Sequence, residues 1–339
     1  MSNGDFGWKS DVRRKEKEED SELPSFFVIG PPRTGTTWLQ SILSECAWLS
    51  HPTKETRFFD KYFDRGIDWY KSHYRRAKTG RKIGEVAPTY FASALARERI
   101  AGLLPEAKVV CTFRNPIDRI ASLYRLKRAY GLIPWSFDEA LGRDPELMES
   151  SRYATHLKEW KKIFSETQVL AMVHDDMEAD PQSYLDKIVD FIGVPRVKLA
   201  QSQTRRVLSS DELTEPRHYG WTRCATLMAE WSKMKRMDSM VAMAKRMGIS
   251  KLFIGGGAAF AELTAAQVVK LRTLFLPEIE ELESLLNRDF SAWKEQRSMT
   301  KKAPPLATPD RSGAPVAVVQ PTERLGSSLG EGEVLRRTA

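Results

Sequence analysis

The chain has 339 residues, 41% of them hydrophobic and 29% charged, and a formal charge of +8. This composition excludes a collagen-like, wholly disordered or disulfide-scaffold protein, and three cysteines (Cys46, Cys111, Cys224) in so long a chain point to a reduced, cytoplasmic compartment. The most apolar run, Leu252 to Ala261, contains three glycines and falls short of the ~18 residues that cross a bilayer, so no transmembrane segment is expected, while the positive charge suits an anionic ligand without selecting one.

Residues 1–22 hold five Lys/Arg and seven Asp/Glu with no apolar core, and read as a charged N-terminal arm, neither signal peptide nor anchor. Ser25–Gly30 reads as a buried strand and Thr36–Cys46 as the helix after it. Lys82–Val86 is a short strand. Ser93 caps a helix that runs to Leu104, with Pro105 beyond its end. Ala107–Phe113 is β-branched and apolar, a second clear strand. Asn115-Pro116 opens a helix whose stripe is Ile117, Ile120, Ala121 and Tyr124. Tyr153–Phe164 is helical, with Leu157 and Trp160 as core. Gln168–His174 is a strand, and Asp180-Pro181 starts a helix to Ile192. Residues 221–251 are helical and Met-rich (Met228, Met234, Met237, Met240, Met243, Met247), with those side chains lining the core or a cleft, or alternatively forming a Met surface for an apolar acceptor. Leu263–Trp293 is helix that Pro277 should kink or divide. Residues 297–339, with five prolines and four glycines, read as a disordered tail. The alternation predicts one α/β domain over 23–296, a three-layer sandwich with a central parallel sheet and helices on both faces.

The sharpest motif is Gly30-Pro31-Pro32-Arg33-Thr34-Gly35-Thr36-Thr37, after a strand and before a helix. The two glycines let the backbone fold back tightly. Its N–H groups then converge at the positive end of a helix, a nest that holds phosphate. The spacing is P-loop-like, but Thr36 stands where a nucleotide P-loop has lysine, which argues against ATP or GTP.

A second anion site follows the strand Ala107–Phe113. Arg114 sits at its carboxyl end, where open α/β sheets bind ligands. Ser122 lies ~140° around the helix from Ile117, off the buried stripe. A guanidinium and a hydroxyl at this spacing can grip a phosphate. A lysine-free phosphate loop and an R-[DN]-P-x-x-R-x-x-S segment together resemble the sulfotransferase family that uses 3′-phosphoadenosine 5′-phosphosulfate (PAPS). The resemblance runs from about Phe26 to Trp293. It implies that Arg33, Thr34, Gly35, Thr36 and Thr37 hold the 5′ end of the nucleotide, and that Arg114 and Ser122 hold the 3′-phosphate. It also implies a late basic loop over the nucleotide, for which Arg205, Arg206 and Arg217 are the candidates.

His51-Pro52-Thr53-Lys54-Glu55-Thr56-Arg57-Phe58-Phe59-Asp60 resembles the K-E-x-x-F-F segment of the heparan sulfate sulfotransferase branch, in which the glutamate is the general base. That role falls on Glu55, with His51 in reserve. Lys54 and Arg57 would keep Glu55 ionised and attract an acidic acceptor, while Phe58 and Phe59 anchor the turn. The chain departs from the branch at Arg57, often histidine there, and at Val86 of Gly84-Glu85-Val86-Ala87-Pro88-Thr89-Tyr90-Phe91, often lysine. The implied reaction is sulfuryl transfer to a hydroxyl or amine of a carbohydrate or small-molecule acceptor. Arg33 and the loop donors would stabilise charge on the leaving phosphate, and no metal is required.

Other readings stay open. A P-loop kinase or NTPase would need a Mg²⁺-binding carboxylate, with Asp175 the candidate. A lipid, phenol or natural product could be the acceptor. A non-catalytic nucleic-acid or glycan-binding module would use the +8 charge but leaves both phosphate motifs without a role; no nucleic-acid partner is expected. Arg75, Arg76, Lys78, Arg81 and Lys82 read as a solvated basic loop.

Overall fold

The computed structural model describes residues 23–295 except 52, 76–79, 201–202, 205–212 and 235–254. The charged arm and the Pro/Gly-rich tail lie outside the described residues.

Short runs of large apolar residues are buried on both faces only when a parallel strand is covered by helices above and below. β1 (Phe26–Val28) meets that demand with three fully buried residues. It lies between β3 (Ile83–Val86) and β4 (Lys108–Phe113), with Val28 opposite Val86 on one side and Val110 on the other. β2 (Trp48–Leu49) extends the sheet beyond β3, and β5 (Val169–Val173) extends it beyond β4. All five strands are parallel, in the order β2-β3-β1-β4-β5.

Successive side chains then feed two cores. Phe26, Val28 and Val110 pack with α1 (Thr36–Cys46) and α9 (Pro181–Ile192) on one face. Phe27, Val109, Cys111 and Phe113 pack on the other with α3 (Ala94–Leu103), α4 (Pro116–Ala129), α7 (Tyr153–Ile163) and α11 (Ala265–Leu286). This is the expected three-layer α/β sandwich. Shorter helices are α2 (Ile67–Lys71), α5 (Phe137–Arg143), α6 (Pro145–Glu149), α8 (His174–Ala179) and α12 (Ser291–Lys294). A separate antiparallel pair, β6 (Thr214–Pro216) and β7 (Gly256–Ala259), accompanies α10 (Tyr219–Met234).

The helix starts follow local chemistry. Ser93 Oγ accepts from Ala96 N (3.1 Å), Asn115 Oδ1 from Ile117 N (3.0 Å) and Asp180 Oδ1 from Ser183 N (3.0 Å). Three expectations need correction. The helix expected over Leu263–Trp293 ends at Leu286, where Asn287 turns left-handed at φ +46, and α12 is a separate turn. Pro277 does not divide α11, because Phe275, Ile279 and Leu282 remain on one buried stripe across it, and this packing holds the helix although one backbone N–H is missing. The described part of the Met-rich stretch, α10, leaves Met228 69% exposed beside Trp221 and Trp231, so this methionine is a surface residue. The methionines at 237, 240, 243 and 247 lie outside the described residues.

Because the strands of the large sheet run one way, the segments leaving their carboxyl ends gather on one edge. These are 29–35 after β1, 50–57 after β2, 87–90 after β3, 114–115 after β4 and His174 after β5. The chain leaves β1 toward β2 and β3 on one side, then crosses to β4 and β5 on the other. Ligands of open α/β sheets bind at such a reversal.

Candidate active site

The loop between β1 and α1 is shaped by two glycines. A Cβ on Gly30 would lie 1.8 Å from Thr112 Oγ1 and 2.7 Å from Thr112 N, so no other residue fits against β4 there. Arg33 (φ +79) and Gly35 (φ +93) both take left-handed backbone, which folds the loop over the start of α1. That helix has no side-chain cap and no acidic residue in its first turn, which suits its N–H groups to an anion. Thr34 is buried and donates its hydroxyl to Pro31 O (2.7 Å), with Thr112 Oγ1 2.6 Å away. Its side chain therefore braces the loop, and any contact with a ligand falls to its backbone.

Arg33 Nε donates to Ser122 Oγ at 2.8 Å. This bond joins the loop after β1 to α4 across 89 residues of sequence and brings together the two segments expected to bind anions. Ser122, expected off the buried stripe, is itself buried, because the loop covers that side of α4. Arg114 is half-buried at the end of β4.

The middle arginine of the R-N-P-x-x-R-x-x-S segment is a brace that sequence reading left without a role. Arg119 is fully buried and donates to Ser151 Oγ (2.6 Å), Ser150 Oγ (3.0 Å) and Leu147 O (2.5 Å). It also reaches Pro32 O in the phosphate loop at 3.5 Å. Burial holds its guanidinium below the usual arginine range, but an arginine remains charged there.

The segment after β2 supplies the remaining groups. Lys54 Nζ donates to Thr37 Oγ1 (3.0 Å) and stands 3.9 Å from Glu55 Oε1. Lys54 thus serves the phosphate loop as well as Glu55, and a cation enters from a neighbouring loop where the P-loop lysine is missing. Desolvation lowers its pKa from the usual lysine value; Glu55 raises it and Arg33 lowers it further. Two cations near enough for one to shift the other, beside an uncapped helix terminus, suit this place to an anion. Arg57, in left-handed backbone at φ +53, pairs with Asp60 (2.9 Å). Phe58 and Phe59 are buried as expected.

Behind this segment lies Glu85, a fully buried carboxylate in β3. Its Oε1 accepts from Thr56 N (3.0 Å), Thr56 Oγ1 (2.5 Å) and Tyr90 OH (3.2 Å), and its Oε2 from Tyr70 OH (2.6 Å). Burial pushes its pKa up, and the hydrogen bonds from Thr56, Tyr70 and Tyr90 pull it back. A lone Glu in the apolar strand Ile83–Val86 was the available signal for this cluster.

The other candidates make contacts of their own. His51 is exposed, and its backbone N–H bonds His73 O (3.1 Å). Arg217 is exposed and donates Nε to Gly256 O (2.8 Å) within the β6–β7 pair. Arg205 lies outside the described residues. Asp175 accepts from the Trp293 indole (2.9 Å), and neighbouring Asp176 holds Arg288 through two bonds of 2.6 and 2.8 Å. Asp175 therefore has a structural partner in the carboxyl-terminal turn. Among the described residues no group of three or more His, Cys, Asp or Glu could hold a metal.

The sequence and the fold are similar to those of known proteins. The bifunctional heparan sulfate N-deacetylase/N-sulfotransferase 1 of Xenopus laevis is 31% identical over 207 residues, 54% of this chain and 24% of that protein. The human bifunctional heparan sulfate N-deacetylase/N-sulfotransferase 3 is 31% identical over 212 residues, again 54% and 24%. The chain thus spans about a quarter of the length of these curated relatives. A crystal structure of a sulfotransferase from Alicyclobacillus acidocaldarius has the same fold, with a TM-score of 0.57 at 21% identity over 80% of this chain and 99% of that one. The sulfotransferase domain model matches residues 23–236. Since that span takes in the whole parallel sheet and both anion sites, and covers more than half of the sequence, the chain belongs to the sulfotransferase family.

Proposed function

We propose that this sulfotransferase moves a sulfuryl group from PAPS to an amine or hydroxyl of a carbohydrate acceptor, with Glu55 as general base. The observation that carries the reading is the Arg33–Ser122 bond of 2.8 Å, which joins the loop after β1 to the helix after β4 and so supports one ligand reaching both. The residues fit the donor: an uncapped helix start, two left-handed loop residues, and Arg33 within electrostatic reach of Lys54. Thr36, Thr37 and the loop backbone would hold the 5′ end, and Arg114 and Ser122 the 3′-phosphate. PAPS, when bound, supplies an activated sulfuryl group on a phosphate leaving group.

The acceptor atom attacks sulfur in line, the bond from sulfur to the bridging oxygen breaks, and its electron pair stays with the leaving phosphate. Glu55 takes the acceptor's proton. Arg33 and Lys54 meet the negative charge that develops on the leaving oxygen. The scheme runs on these protein groups without a metal. A carbohydrate acceptor is supported by the named activity of the relatives that share this half of the chain. The free thiols of Cys46, Cys111 and Cys224 support the proposal of a reduced, cytoplasmic compartment.

The test is transfer from radiolabelled PAPS to a panel containing N-deacetylated heparosan, a neutral oligosaccharide, a phenol and a sterol. Transfer to a saccharide is expected. Glu55→Gln keeps affinity for 3′-phosphoadenosine 5′-phosphate (PAP) and loses turnover by at least about 10²-fold, whereas Arg114→Ala loses PAP affinity. Full activity in both variants overturns the assignment, and exclusive transfer to the phenol or sterol overturns the acceptor class.

A further inference from the structure

A carboxylate buried in a β-strand without a cation beside it is costly, and it persists only where its acceptor capacity is used. Glu85 receives four neutral donors, and two of them come from one residue, Thr56, through its backbone N–H and its hydroxyl. Thr56 directly follows Glu55 in the chain. Its hydroxyl also accepts from Phe58 N (3.1 Å), and Tyr90 OH accepts from Phe59 N (3.3 Å). The segment therefore hangs from β3 by its backbone on the carboxyl side of Glu55. Immediately beyond, Arg57 is held at φ +53, a conformation that a free loop of L-residues seldom adopts.

An ionised carboxylate matches these four donors. An ionised Glu has two oxygens and no hydrogen to donate, so it accepts all four bonds at once. A glutamine would turn an N–H₂ toward one set of donors and leave that set unpaired. The phenols of Tyr70 and Tyr90 stay protonated as donors, because burial and then the neighbouring Glu85 charge raise their pKa values well above the usual tyrosine value. Tyr74 completes the buried group, its hydroxyl 3.4 Å from that of Tyr70.

We propose that Glu85 is a positioning residue for the transfer reaction: by clamping Thr56 to β3 it fixes the chain on the carboxyl side of Glu55 and so the place of that carboxylate, while Lys54 is held separately by its bond to Thr37. The inference rests on the reading of Glu55 as the base. Glu85 acts through the backbone of its neighbour, so its loss acts on the rate of proton removal and leaves the nucleotide site standing.

The experiment pairs Thr56→Ala with Thr56→Ser and adds Glu85→Gln. Both Thr56 variants lose the γ-methyl, but only alanine loses the hydroxyl. Turnover is read as PAP release with N-deacetylated heparosan, or with the best acceptor of the panel, and PAP affinity is read by calorimetry. The expected result is a fall in kcat of about 10- to 100-fold for Thr56→Ala and Glu85→Gln, with PAP affinity unchanged, while Thr56→Ser stays within about threefold of the parent. In a Glu55→Gln background Thr56→Ala causes no further loss, because the two act as a unit. Equal losses in the alanine and serine variants overturn the proposal, as does a parallel loss of PAP affinity. If Glu55→Gln is inactive while Thr56→Ala turns over normally, this inference falls and the base assignment stands. If Glu55→Gln is fully active, the base assignment itself falls. Should Glu85→Gln not fold, the alanine and serine pair decides alone.

Discussion

Lys54 shows how one side chain can change its meaning when the fold is known. In the sequence it is a neighbour that keeps Glu55 ionised. In the structure its ammonium donates to Thr37 Oγ1 and sits close enough to Arg33 to feel its charge. Desolvation depresses its pKa, and an anion placed between Lys54 and Arg33 favours the protonated form. The sign of the pH dependence follows. PAP affinity is level near neutral pH and falls as pH rises through the depressed lysine range, because the form that binds loses its proton. Lys54→Met is expected to weaken PAP binding about tenfold at neutral pH and to abolish the alkaline fall. Calorimetric titrations from pH 7 to pH 10 check both. An alkaline fall that survives in Lys54→Met assigns the titration to another group.

At the scale of elements, α4 is the part that ties the site to the fold. It begins beside Arg114, offers Ser122 to Arg33, and is anchored by Arg119 to Leu147, Ser150 and Ser151. Arg119→Met would leave those acceptors unpaired in the interior. The expected loss of stability is about 2–4 kcal/mol, measured by urea unfolding. Arg119→Lys should recover only part of it, because an ammonium cannot span the three acceptors that a guanidinium fork reaches. The elements themselves were largely legible. Strands announced by β-branched runs, such as 108–113, and helices announced by a cap, such as those after Ser93, Asn115 and Asp180, stand within a residue or two of expectation. What escaped lacked a local signal. β2 has two residues and exists only because β3 lies beside it. Pro277 misled because a local rule was outweighed by the buried stripe on either side of it. Ser122 looked solvent-facing by helix angle alone, since nothing in its own helix shows that a loop 89 residues earlier covers it. The loop 30–37 was legible as a tight turn because the backbone demands glycine at 30 and 35, and Asn115-Pro116 as a helix start because Asn115 caps it. Glu85 and Lys54 were not, because their roles arise from contacts between distant segments.

For the molecule as a whole, the proposed pair of anion sites makes ligand binding a property of the entire sheet. One proposed site follows β1 and the other follows β4, strands that are neighbours in space but separated in sequence by α1, β2, α2, β3 and α3. A ligand that spans both sites bridges segments that separate on unfolding, so its binding energy adds to global stability. At a hundred times its dissociation constant PAP should add about 2.7 kcal/mol, which for a domain of this size raises Tm by about 2–4 °C. Adenosine 5′-phosphate at the same concentration engages one site only and should shift Tm by clearly less. Arg114→Ala should reduce the PAP shift to that of adenosine 5′-phosphate, because the variant removes the second grip and leaves the first. ATP with Mg²⁺ should give no larger shift than ATP alone, since Asp175 is engaged by Trp293 and the loop has Thr36 in the lysine position. The measurement is a thermal melt with each nucleotide. A PAP shift no larger than that of adenosine 5′-phosphate would mean that the loop of Arg33 and the helix of Ser122, although bonded to each other, do not serve one ligand.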